Sequence, residues 1–447
     1  MKCNVVQQIR IQTFRHYEKF HYFCEYIFRK MTKRLFLFLT FIFCILSDSF
    51  AGYRTETFND AYKSLQVSVY GIDMSEPIIF LDSDDRIEIS FDEMSRTPRD
   101  LVYIVEHCSA LWESSELDKI DYLEGFDQQD VTDYEYARNT TFDYTHYSLL
   151  LPNDDVKMTL SGNYVVKIAD REKPDSVLLT ACFSVAERLV DIDAEVKSNT
   201  MYGINTKYQQ VNLELGFDKL GVTPSDRELI AIVRQNVRWD NAAYLNIPNF
   251  TRANTLIWEN DEKLLFDAGN EWYRIDFSDR INFNGEVKKI QFHRPYYHVE
   301  VLPGHYPAKP DYEWFEDQDG RYRIHGQNIT SYFDIDYSVV HFAYKADWEW
   351  PDGFVFVAGD FNHGYLDTRN LMKWNNERKQ YELDIVLKNG GYNFQYVFLP
   401  NGERKASPDR LTISHWQTEN EYYIYVYYKR LGERYYRLIG SKKIKNK

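Results

Sequence analysis

Residues 103–170 read YIVEHCSALWESSELDKIDYLEGFDQQDVTDYEYARNTTFDYTHYSLLLPNDDVKMTLSGNYVVKIAD. The two ends of this stretch carry the period of a strand, with Ile104 in the first and Tyr164, Val166 and Ile168 in the last. Between them lie Trp112, Tyr122, Phe126, Tyr134, Tyr136, Phe142, Tyr144 and Tyr147, on a segment of low periodicity. A buried ring removes about 150–250 Å² from water, so so aromatic a segment is expected to pack back over its own sheet. Pro152-Asn153-Asp154-Asp155 and Gly162-Asn163 have the chemistry of chain reversals. The stretch is therefore the centre of a β-rich unit.

The same alternation recurs on both sides. Leu65, Val67 and Val69, then Ile87, Ile89 and Phe91, precede it, and Val177 to Val185 follows it. A second series runs through Val211, Leu213 and Leu215, Leu229, Ala231 and Val233, residues 268–277, Ile290, Phe292, Val299 and Val301. Pro303-Gly304 with Pro307 and Pro310 is the clearest punctuation and marks a boundary. Beyond it Val340, Phe342 and Tyr344, Tyr381 to Leu387, and Tyr392 to Phe398 alternate, with Asn389-Gly390-Gly391 expected as a tight hairpin between the last two. Only Ser114 to Leu123 has any helical character. The fold class is all-β, with stacked immunoglobulin-like sandwiches over residues 52–187, 188–303 and 304–447. An aromatic content of 17% suits that architecture, because such rings pack across a pleated sheet.

Residues 1–51 are set apart. Met31-Thr32-Lys33-Arg34 leads into the apolar run Leu35 to Leu46, too short to span a membrane well, and Ser49-Phe50-Ala51 places small residues where a signal peptidase requires them. This is the pattern of a cleaved signal peptide starting at Met31, with the exported chain beginning near Gly52 and no lipid on Cys44. The full chain carries a net charge of −15; setting aside residues 1–51, with eight Lys/Arg and three Asp/Glu, leaves −20. That balance excludes a nucleic-acid partner, which it would repel. Cys108 and Cys182 then remain, either as one bridge or, the expected state, as two small buried apolar residues.

Chemistry-bearing patterns are sparse. His107 and Cys108 are adjacent on a strand and so point to opposite faces, which separates thiol from imidazole. Asp82-Ser83-Asp84-Asp85 and Asp317-Gln318-Asp319-Gly320 lack the later bidentate Glu of a calcium loop. His293, His298 and His305 lack metal-ligand spacing. No serine elbow, phosphate-cradling glycine loop or zinc-protease helix is present in the sequence. No cofactor, metal or catalytic residue is expected. Glu421 to Lys429 is apolar or aromatic on both faces, as in a strand between two layers or one whose outer face meets a partner. Tyr422, Ile424, Val426 and Tyr428 form the core face, which leaves Tyr423, Tyr425 and Tyr427 as the candidate partner-binding face.

Two resemblances add to this reading. VFVAGDFN at 355–362 with GGYNFQY at 390–396 resembles the glycogen- and starch-binding modules, which share an early-set immunoglobulin-like sandwich. His363, Gly364 and Tyr365 stand where those modules carry a sugar-stacking Trp, so the resemblance implies the fold more than α-glucan binding, the alternative function. Across the whole chain, ISFDEMS at 89–95, HCSALWESSEL at 107–117, DYEYARNTTFDYTHYSLLLPN at 133–153 and LSGNYVVKIAD at 160–170 resemble the plug protein of the Bacteroidota type IX secretion system. RQNVRWDNA at 234–242, AGNEWYRIDF at 268–277, QTENEYYIYVYYKR at 417–430 and RYYRLIG at 434–440 continue the series in order. The resemblance implies a non-enzymatic periplasmic protein at the inner face of the outer membrane. Such a protein would dock on the translocon β-barrel and close its channel, peripheral to the membrane and not spanning it.

Overall fold

The computed structural model describes residues 52–126, 128–306, 308, 311–327 and 331–446. The expected signal peptide lies outside the described residues. Residues 52–447 form one compact unit by contact, built almost wholly of antiparallel strands around three large cores.

The first core lies between two sheets. One runs Glu56–Thr57, Lys173–Ala186, Gly162–Asp170, Leu101–Cys108 and Gln129–Asp130, and the other Tyr62–Val69, Ile87–Glu93, Thr145–Leu151 and Asp133–Tyr136. Tyr164, Val166 and Ile168 are fully buried, as their alternation requires. The aromatic segment does something other than fold back as a loop: it supplies Asp133–Tyr136 and Thr145–Leu151 to the facing sheet. Tyr144 and Tyr147 are buried there, whereas Phe126, Tyr134 and Tyr136 are exposed. Gly162 opens a strand rather than a turn; its φ of +141° and the His107 ring against its α-carbon leave no room for a side chain. The helical tendency of 114–123 is realised as one turn, Lys119–Tyr122.

The second core is closed by strands far apart in sequence. Asp191–Lys197, Tyr208–Gly216, Thr255–Trp258 and Phe250–Arg252 form one sheet. The opposing sheet runs Ala243–Leu245, Leu229–Gln235, Glu421–Tyr428 and Arg437–Lys445, with Ala231 opposite Val426. The third core, 273–400, is inserted between these halves. Its sheets centre on Gly390–Pro400 and on Tyr337–Lys345. Tyr296–Val301 pairs in parallel with Tyr337–Lys345, so the boundary expected at 303/304 falls within a sheet. Asn389-Gly390-Gly391 is likewise no hairpin: Gln380–Lys388 and Gly390–Pro400 belong to opposite sheets, and the segment carries the chain between them. Alternation tells which face of a strand is buried but not which strand lies beside it.

Candidate functional site at the junction of the cores

The densest polar chemistry lies where the three cores meet, and one short loop organises it. Residues 70–77 connect Tyr62–Val69 to Ile78–Phe80. Ser75 Oγ accepts from the Val69 N–H at 2.8 Å, and the Pro77 carbonyl accepts from the Ser184 N–H at 2.9 Å, so the loop is pinned at both ends. Between those pins Glu76 extends out of the first core. Its carboxylate accepts from Arg234 of the second core at 2.7 Å, from Arg321 of the third at 2.9 Å, and from the Tyr425 hydroxyl at 2.7 Å. Burial pushes this carboxyl's pKa up, but the two guanidiniums and the hydroxyl outweigh it and hold the value at about 2. Arg234 lies over the rings of Trp239 and Tyr423, 4.5 and 5.1 Å from their centroids. A cavity of about 140 Å³ opens beside this cluster, lined in part by Asp73, Glu76, Arg234, Arg321, Tyr322 and Tyr425.

Tyr423, Tyr425 and Tyr427, expected as an exposed partner-binding face, are interior side chains, 4, 4 and 2% exposed. They pack with Ala110, Ala186, Ile232 and Leu438 in a small core between the first and second sandwiches. Each hydroxyl finds a partner: Tyr423 accepts from Arg321 at 2.8 Å, Tyr425 donates to Glu76, and Tyr427 donates to Asn163 at 2.9 Å. The strand is two-faced because the first sandwich covers its outer side. The other face, with Tyr422, Ile424, Val426 and Tyr428, is the second core as expected.

A second clamp joins the first and third cores. Asp92 and Lys388, each side chain 1% exposed, pair at 2.6 Å; His146 sits 2.6 Å from the same carboxylate and Tyr337 donates to it at 2.5 Å. Burial opposes the Asp92 charge, but Lys388 and His146 outweigh it and keep the carboxyl below its ordinary range. Nearby, Asp336 accepts from the Thr141 hydroxyl and from Arg280, both at 2.9 Å. Neither Lys388 nor Arg321 announces this in sequence, since a partner more than two hundred residues away leaves no local pattern.

Other sequence candidates are separated by the fold. The His107 ring packs among Tyr122, Tyr164 and Tyr435, with burial lowering its pKa to about 4. Cys108 lies on the opposite face with Val165 and Cys182, and burial pushes its thiol up to about 12. Both shifts oppose a thiolate–imidazolium pair. Cys108 and Cys182 are free thiols on strands that flank Gly162–Asp170, where Asn163 pairs with Cys108 and Val165 with Cys182. Asp317 and Asp319 face the protein interior: Asp317 accepts from the Trp272 N–H at 2.5 Å and Asp319 pairs with Lys445 at 3.3 Å. The turn that resembles a sugar platform is covered. Tyr365 stacks on Trp239, and a β-carbon on Gly364 (φ +72°) would lie 1.6 Å from the Val237 carbonyl oxygen. Among the described residues no helix is long and apolar enough to cross a membrane, which leaves strand-built spans aside.

Comparison with known proteins places this arrangement. A family model described as the type 9 secretion system plug protein first domain matches residues 62–187, the chain of the first core. A hypothetical protein from Parabacteroides merdae ATCC 43184, known from a crystal structure, is 37% identical. The match covers 89% of this chain and 100% of that one, with a TM-score of 0.86. No curated protein matches.

Proposed function

The chain belongs to the type 9 secretion system plug protein family, and from that membership we propose that it is a non-enzymatic periplasmic plug, docking on the inner mouth of the outer-membrane translocon barrel and closing it. The observation that carries this reading is the clamped junction. A stopper must resist deformation without a hinge, and here three cores are tied by buried carboxylates at Glu76 and Asp92 rather than by flexible linkers. These charged groups are paired with one another, which suits a structural role over a catalytic one. Large apolar side chains stand exposed at projecting turns, Ile72 and Met74 beside the Glu76 anchor and Met201 and Ile204 on a hairpin, and surface of this kind suits a protein partner.

Deleting the protein tests the proposal. The expected result is an outer membrane that admits large solutes through the idle translocon, with the barrel co-purifying with tagged plug from wild-type membranes. Unchanged permeability together with unchanged cargo secretion would overturn it.

A further inference from the structure

The outward face of the third core's larger sheet carries a row of four polar side chains, one on each of four adjacent strands: His293, His298, His341 and Asp384. The strands are Val287–His293, Tyr296–Val301, Tyr337–Lys345 and Gln380–Lys388. Pairing sets the row. His293 lies opposite Tyr296 and so diagonal to His298, His298 is diagonal to His341 across a parallel pair, and His341 faces Asp384 directly. The opposite face of these strands carries Val299, Val340 and Phe342 in the core, which fixes the imidazoles outward.

The geometry within the row is specific. His341 Nδ1 lies 2.7 Å from the Asp384 carboxylate, and its Nε2 lies 2.8 Å from His298 Nδ1. The two rings are within 10° of parallel, their centroids 5.1 Å apart, so these nitrogens meet edge to edge rather than face to face. An acceptor-only carboxylate on Nδ1 fixes the His341 tautomer with its proton there, which leaves the Nε2 lone pair aimed at His298. That is the carboxylate–histidine arrangement that orients a metal-ligating imidazole. The His293 ring lies edge-on to His298 with centroids 5.3 Å apart, on the exposed end of its hairpin.

We propose that His298 Nδ1 and His341 Nε2 form a surface site for a late first-row divalent cation such as Zn²⁺, Ni²⁺ or Cu²⁺, with Asp384 orienting His341 and His293 able to swing in as a third ligand. Two nitrogens about 2.0–2.1 Å from a tetrahedral ion lie roughly 3.3 Å apart, so the pair opens by about half an ångström to admit it. Both rings coordinate as neutral imidazoles: His298 shifts to the tautomer that carries its one proton on Nε2, which frees the Nδ1 lone pair, and the cation takes the place of the Nδ1 proton. Imidazole donors favour these ions over Ca²⁺ and Mg²⁺. Among the described residues no three donors already converge on one point, which makes this a two-histidine site completed by His293 or water rather than a closed structural centre. Sequence spacing missed it because His341 lies 43 residues from His298.

The test titrates the metal-stripped exported chain with Zn²⁺ and Ni²⁺ by calorimetry and thermal melting. One equivalent is expected to bind and raise Tm, while Ca²⁺ at the same concentration leaves Tm unchanged. His298→Ala and His341→Ala are each expected to weaken binding at least tenfold, and Asp384→Asn about 10–100-fold through His341 alone. All three are surface changes, and their metal-free Tm is expected to match the parent. Absence of Zn²⁺ and Ni²⁺ binding would overturn the site, as would affinity unchanged in both histidine variants, which would assign the metal to the acidic surface at large.

Discussion

Replacing Glu76 by Gln removes one charge from the point where all three cores meet, and its cost can be worked from the structure. Arg234 and Arg321 have side chains only 5 and 9% exposed, and both donate to Glu76 Oε2. Without the carboxylate, the closest remaining acid to Arg321 is Asp360, at 3.7 Å. Breaking a buried pair from one side costs about 3–5 kcal/mol. An independent route uses linkage: a carboxyl held at about 2 instead of its ordinary 4.5 is worth about 3 kcal/mol at neutral pH, at about 1.4 kcal/mol per pKa unit. The two routes agree at roughly 3 kcal/mol. For a folded body of about 400 residues, with unfolding entropy near 2.1 cal/mol/K per residue, that corresponds to a Tm lowered by about 4 °C.

The pH dependence makes the test specific. Because the native pKa is depressed, Glu76's contribution is fully present above about pH 4.5 and is lost as pH falls through about 2. Gln imitates the protonated carboxyl. The stability gap between parent and Glu76→Gln is therefore expected to shrink from about 3 kcal/mol at pH 7 to about 1.4 kcal/mol at pH 3. Paired thermal melts across that range measure it, and other titrating groups cancel in the difference. Equal Tm at pH 7, or a gap that stays constant down to pH 3, would refute the keystone role of this carboxylate.

Two further outcomes follow from buried groups elsewhere. Burial, opposed by hydrogen bonds from Tyr312 and the Glu419 N–H, raises Glu271 to about 7, while burial with neighbouring acids raises Asp319 to about 7. These native carboxyls keep protons that the unfolded chain has released, so stability falls as pH rises from about 4 to about 7; Glu271→Gln should raise Tm at pH 8 and change it little at pH 4, by melting at both. Cys108 and Cys182 are separated by one strand, which sets their α-carbons about 10 Å apart against the 4.4–6.8 Å of a disulfide. Alkylation followed by mass spectrometry should find both thiols free and protected in the native protein and both modified after denaturation; a bridged species would contradict the pairing.

How much of this was legible beforehand varies with the range of the signal. Alternation at Tyr164, Val166 and Ile168 and at Val340, Phe342 and Tyr344 located buried faces, because period-two burial is written into each strand separately. The same rule assigned Tyr422, Ile424 and Val426 to a core but misjudged Tyr423, Tyr425 and Tyr427. Their cover comes from Ala110 and Ala186, more than two hundred residues upstream. Tyrosine is ambiguous by nature, since its ring suits a core and its hydroxyl suits a surface. Here Glu76 and Asn163 satisfy the hydroxyls internally. Pro303-Gly304 reads as a boundary because it breaks a strand, yet the two strands around it share a sheet. The same limit hid Glu76, an ordinary acid in an ordinary turn until Arg234 and Arg321 are brought to it.

The connectivity nests the third core within the second. The second core needs Leu229–Gln235 and Glu421–Tyr428 side by side, with Val233 against Ile424. All of the third core lies in sequence between those two neighbouring strands. The ion clusters then close the remaining freedom. Glu76 joins first, second and third cores in a single carboxylate, and Asp92 joins first and third from another side. Buried pairs of this kind add little net stability over well-packed apolar groups, but they penalise any arrangement that leaves one charge without its partner. Their contribution here is to orientation: sliding one core over another would strand a guanidinium or a carboxylate in the interior.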